Sequence, residues 1–129
     1  MAEDTNTERE GLMAKVNYGE FVGRLVKSGE LIRDKMTAQQ TDLWHAATGV
    51  STEAGELLSA VKVHVIYGRD INRENVIEEL GDLEFYLEQT RQNLGISRQL
   101  TIERNISKLS KRYFGGYSDK AANERADKQ

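Results

Sequence analysis

The chain has 129 residues, no cysteine and no proline, and a net charge of −3 from 18 basic and 21 acidic side chains. Without cysteine there is no disulfide, no thiolate zinc site and no cysteine nucleophile, and the mild acidic balance argues against a general nucleic-acid binder. The length fits one ordinary domain, and scarce strand formers point to an all-α protein.

Residues 1 to about 12 are acidic and polar, without apolar periodicity, and are expected to form a flexible arm with no signal-peptide pattern. Phe21, Val22, Leu25 and Val26 then mark one face of a helix that Gly29 would stop. "ELIRDKMT" reads as a connector or a short helical turn. From Ala38 to about Tyr67 one long helix is expected, with Gly49 as a place to bend. Its core stripe is Leu43, Ala47, Val50, Ala54, Leu57, Val61 and Val65. "YGRDIN" breaks it, with Asn72 or Asp70 as the next cap. A further helix runs from about Arg73 to Leu94, with Val76, Leu80, Leu83, Leu87 and Leu94 as its stripe and Gly95 as its stop. Ser97 caps the last one, about Arg98 to Tyr113, striped by Ile102, Ile106 and Leu109. The tail from 118 to 129 is polar and reads as a second arm. The sum is a single-domain antiparallel bundle of about four helices spanning residues 15–114. No apolar run approaches the roughly 20 residues that cross a bilayer, so a cytoplasmic protein with no membrane partner is expected.

Chemistry concentrates in "STEAGELL" and "ENVIEELGDLEFYLEQ". At about 100° per residue, Glu56 falls about 60° from Glu53, and Asp82 falls by the same offset from Glu79. Each pair encloses a glycine, Gly55 or Gly81, and each has its apolar stripe on the same flank. Small residues (Ala46, Gly49 and Ala60) share the Glu53 line. A single acidic i, i+3 pair is ordinarily a solvated face. Two pairs in matched phase, on helices that share a core, would converge at its edge and repel. A hard divalent cation relieves that repulsion, and Mg²⁺ takes such oxygen ligands together with phosphate oxygens. The glycines would then let the neighbouring helix or a ligand come close. A di-iron bundle would want Glu-x-x-His from two helices. Here His64 follows Val61 and His45 follows Asp42 at that spacing, a single near match. On the last helix, Asn105, Lys108 and Arg112 share one line. They form either a solvated basic face near a helix C-terminus or a grip on phosphate oxygens.

The quoted residues resemble a known family. "EAGE", 22 intervening residues and "ELGD" match the Glu-x-x-Glu, spacer, Glu-x-x-Asp signature of the MazG-like all-α nucleoside triphosphate pyrophosphohydrolases, in their short single-domain bacterial and phage form. The match extends through "HAATGVSTEAGELL", "EELGDLEFYL", "RNISKLSKRY" and "GGYSDKAANER", roughly Leu43 to Arg125, about two thirds of the chain. The resemblance implies Mg²⁺-dependent cleavage of (deoxy)nucleoside triphosphates between the α and β phosphates, with Mn²⁺ as a substitute. It also implies homodimers or homotetramers in the cytoplasm of a bacterium or a phage-infected host. Glu53, Glu56, Glu79 and Asp82 would hold metal, and one of Glu53 and Glu56, by preference Glu53, would orient or deprotonate the water. Tyr86, Lys108 and Arg112 would contact phosphate, and Asn105 phosphate or sugar. Lys62 is a candidate for phosphate, and Trp44 and His45 for the base, with core or interface as the ordinary alternative for Trp44. Glu84 departs from the family, where an apolar residue is commoner. Two rivals keep the same residues: a helical nucleotide binder without turnover, and a phosphohydrolase for an alarmone or another pyrophosphate.

Overall fold

The computed structural model describes residues 2–128; Met1 and Gln129, the outermost residues of the two expected arms, lie outside it. All regular elements among the described residues are helical. They fall into two compact units, Met1–Met36 and Thr37–Gln129.

The first unit holds α1 (Ala2–Met13), α2 (Tyr18–Leu25) and α3 (Gly29–Lys35). The α1 segment is helical although its sequence has no apolar stripe. Residues 6–13 of it are exposed, so over that stretch it is a polar helix with no buried face to announce it. Asn17 caps α2 by accepting from the Glu20 N–H at 3.1 Å. Val16, Ile32 and Met36 are half-buried, and neither α2 nor α3 has a fully buried residue.

The second unit is built on α4 (Ala38–Tyr67) and α5 (Arg73–Leu94). Thr37 opens α4 with a capping box: its hydroxyl accepts from the Gln40 N–H, and the Gln40 side chain accepts from the Thr37 N–H. Gly68 closes α4 in the left-handed region at φ 62°, and the His64 Nδ1–H donates to the Arg69 carbonyl at 2.7 Å. Asn72 caps α5, and Gly95 ends it at φ 65° with the Ile96 N–H returning to the Arg91 carbonyl. The short connection makes the two helices an antiparallel hairpin. At its open end the Gln39 amide reaches the Asn93 carbonyl at 3.4 Å.

The two helices meet along the small-residue line of α4. Ala46 and Gly49 are its buried residues, while Leu43, Val50, Leu57 and Val61 are half-buried beside them and Ala47, Ala54 and Val65 are exposed. The expected order of core stripe and edge is therefore reversed at the centre of the contact. Small side chains let the axes approach, and the Tyr86 ring fills the space. A Cβ on Gly49 would overlap that ring. Gly55 and Gly81 have a different role from the close packing expected of them, since a Cβ on either would meet nothing within 4 Å. The α4 helix runs unbroken through Gly49.

Beyond Ser97, which caps it, α6 (Arg98–Arg112) packs on α7 (Asp119–Glu124) and on a terminal 3₁₀ turn (Ala126–Lys128). It does not pack along α4 or α5. Its stripe of Ile102, Ile106 and Leu109 stays exposed. No helix among the described residues is long and apolar enough to cross a membrane.

Candidate functional site

The hairpin register brings the two acidic motifs together. With Gly49 against Tyr86, the next turns toward the connection place Glu53 and then Glu56 beside Asp82 and Glu79. One carboxylate oxygen from each of Glu53, Glu79 and Asp82 lies within 4.8 Å of the others. Glu53 and Glu79 are half-buried, and Asp82 is exposed. Glu56 stands outside this trio, exposed, but close enough for its charge to act on Glu79. Burial first, then the charges of Glu56, Glu53, Asp82 and Glu78, push the Glu79 carboxyl above its ordinary value. None of the four carboxylates has an ion pair among the described residues. Farther along α5 the acids are compensated: Arg91 pairs with Glu88 at 2.8 Å and with Glu84 at 4.0 Å.

An all-oxygen, anionic set of this kind suits a hard cation with about 2.0–2.1 Å ligand distances, and it does not suit a thiophilic metal. The His residues do not join it. His64 is held by the Arg69 carbonyl. His45 faces Tyr86 edge-on, with ring centroids 6.1 Å apart.

Of the remaining candidates, Tyr86 lies one turn beyond Asp82, half-buried between His45, Phe85 and Gly49. Trp44, next to His45, is 58% exposed. Lys62 is exposed and sits 5.9 Å from the centre of the Tyr67 ring. Asn105 and Lys108 lie exposed on α6, and Lys108 has no ion pair among the described residues. Arg112 is engaged: its Nε and Nη2 donate to the two Asp127 oxygens at 2.7 and 2.9 Å. Because α6 does not pack along the hairpin, Asn105, Lys108 and Arg112 are not gathered with the carboxylates inside one chain.

Two residues that matter here escape a reading of the sequence. Gly49 is visible there as a small residue in phase with Glu53, but its tight fit to Tyr86 depends on the register of two helices. Asp127 has no signal at all, being one acid in a polar tail that closes on α6 only through a left-handed turn at Arg125, φ 49°. Glu84, the departure noted above, lines an open groove with Phe85, Glu88, Gln89, Arg91 and Arg98, on a different face from Glu79 and Asp82. No protein-family model, curated protein or solved structure matches this chain.

Proposed function

We propose that the chain is a Mg²⁺-dependent nucleotide pyrophosphohydrolase that cuts (deoxy)nucleoside triphosphates between the α and β phosphates. The observation that carries the reading is the carboxylate trio Glu53, Glu79 and Asp82, whose oxygens lie within 4.8 Å of one another with no cation from the chain among them. In this reading those three hold the metal, which supplies charge neutralisation for the phosphates and a fixed orientation for the reacting oxygens. Glu56, near the trio but outside it, is then the better placed of the Glu53–Glu56 pair to take the proton from water. That reverses the preference for Glu53 drawn from the resemblance. Water adds to phosphorus, the bridging α–β oxygen leaves with pyrophosphate, and Glu56 keeps the proton. Tyr86, Lys108, Arg112 and Asn105 bind phosphate or sugar, Lys62 assists, and His45 with Trp44 borders the base.

The same reading takes the working unit to be a homodimer or homotetramer in the cytoplasm, with the helical bundle completed by association. The support is the poverty of the lone protomer's interior. Ala46 is its one fully buried apolar side chain among the described residues, while Leu58, Val65, Ile66, Ile77 and Phe85 are each more than half exposed. Apolar surface on that scale is ordinarily covered by a partner.

A panel of nucleoside triphosphates with Mg²⁺ or Mn²⁺, read by mass for products, tests the activity. A monophosphate with pyrophosphate is expected. A diphosphate with orthophosphate, or no turnover of any member, overturns it.

A further inference from the structure

The C-terminal segment folds back and sets one acid on one base. Arg125 turns the chain out of α7 with a left-handed φ of 49°, and the 3₁₀ turn Ala126–Lys128 lies against α6. Within that turn the Asp127 side chain is 1% exposed, and the Arg112 side chain it meets is 15% exposed. The contact is a two-pronged fork, Nε to Oδ1 and Nη2 to Oδ2. A guanidinium offers that same fork to two phosphate oxygens. Lys108 stands one turn before Arg112 on the same face of α6, exposed and with no ion pair to Asp127.

We propose that Asp127 is an internal competitor for the phosphate-binding Arg112, a latch that a polyphosphate ligand must displace. The proposal deepens the reading of the α6 face given above and rests on it for the ligand class, but it needs neither the metal nor turnover. Simple opening of the latch is costly, because it strips two desolvated charges of their partners. Exchange is cheaper. An incoming phosphate takes the fork as Asp127 leaves it, and the carboxylate passes into water. The polyphosphate also engages Lys108, which Asp127 does not reach, so the exchange favours a polyanion over a lone carboxylate. Ligand binding and release of the 3₁₀ turn are then two sides of one equilibrium. An exchange whose net cost to the ligand is about 1.4 kcal/mol weakens apparent binding about tenfold.

The test uses the full chain in metal-free buffer, with inorganic pyrophosphate as the probe and calorimetry as the readout. Asp127→Asn, which keeps the shape but gives up the charge, is expected to bind about tenfold more tightly than the unaltered chain. The gain is expected to vanish in the Arg112→Ala, Asp127→Asn double variant. Unchanged or weaker binding by Asp127→Asn overturns the proposal, as does a gain that survives loss of Arg112. Should Asp127→Asn fail to fold, hydrogen exchange on the unaltered chain decides. Saturating pyrophosphate is expected to speed exchange in residues 126–128, and unchanged protection overturns the latch. Failure here is separable from failure of the enzymatic reading. A chain that hydrolyses nucleotides but shows no gain in Asp127→Asn loses the latch alone, and one that shows the gain without hydrolysis loses the activity alone.

Discussion

Two regions of this protein place carboxylates in close contact with charged groups, and they treat them in opposite ways. On the α4–α5 hairpin, Glu53, Glu79 and Asp82 crowd together without a basic neighbour, and the Glu79 carboxyl is pushed up. At the end of α6, a single acid meets a single guanidinium, and the hydrogen bonds from Arg112 hold the Asp127 carboxyl below its usual range. One region is compensated within the chain and the other is left in deficit. The difference teaches where an external cation would have work to do: it would add little at Asp127 and would relieve repulsion at Glu79.

The sharpest way to break that contrast is to remove the deficit. Glu79→Gln is expected to lower Mg²⁺-dependent nucleotide turnover at least about 100-fold while leaving the helical circular dichroism signal intact. Normal turnover would remove Glu79 from the metal set. Lys108→Ala is expected to raise KM about tenfold with a smaller change in kcat, the size of one lost charged hydrogen bond. Unchanged kinetics would take Lys108 out of the phosphate contacts. The register that gathers the acids can be probed with a glycine pair. Gly49→Ala overpacks against Tyr86 and is expected to cost about 1–3 kcal/mol in urea unfolding. Gly55→Ala, which faces open space in mid-helix, is expected to stabilise by about 0.5–1 kcal/mol. Equal effects at the two positions would refute the tight fit.

The smallest effect concerns pH. Glu79 has a raised value in the folded state, so its penalty is absent below the ordinary carboxylate range and complete above the raised value. Stability contributed at that site falls as pH rises through the window. Asp127 has a lowered value, so its contribution is present above the ordinary aspartate value and is lost as pH falls through the lowered one. In metal-free buffer at neutral pH, Glu79→Gln is therefore expected to melt above the unaltered chain and Asp127→Asn below it. Both differences close on acidification. Shifts of the same sign at neutral pH would show that the two regions do not differ in the way described.

Much of the hairpin was legible from local chemistry. The limits of α4 and α5 follow from groups that bond within a turn of themselves: Asn72 on the Asn75 N–H, Gly68 and Gly95 in left-handed conformations. The phase of the two acidic pairs follows from helical geometry, which is why their convergence could be expected without a structure. Two kinds of feature were hidden. Elements with no apolar face, such as α1, leave no periodic trace. Contacts that depend on how two segments slide against each other, Gly49 with Tyr86 and Arg112 with Asp127, are tertiary facts, and no local periodicity or spacing links the partners. Misreading the centre of the hairpin has the same origin. The Leu and Val stripe is conspicuous by hydropathy, whereas close approach at Ala46 and Gly49 is a matter of shape.

The notch at Gly49 also acts as an index mark. Two smooth antiparallel helices can slip by one turn, about 5.4 Å, and still bury similar area. Slipped that far, the Tyr86 ring would stand opposite Ala46 or Glu53 instead, and both carry a Cβ where the ring must sit. Repulsion among the acids favours slippage, and the ring seated in its one gap opposes it. The hairpin thus stays in a setting that crowds like charges, with Glu53 held against Glu79 and Asp82 by a fit made one to two turns away.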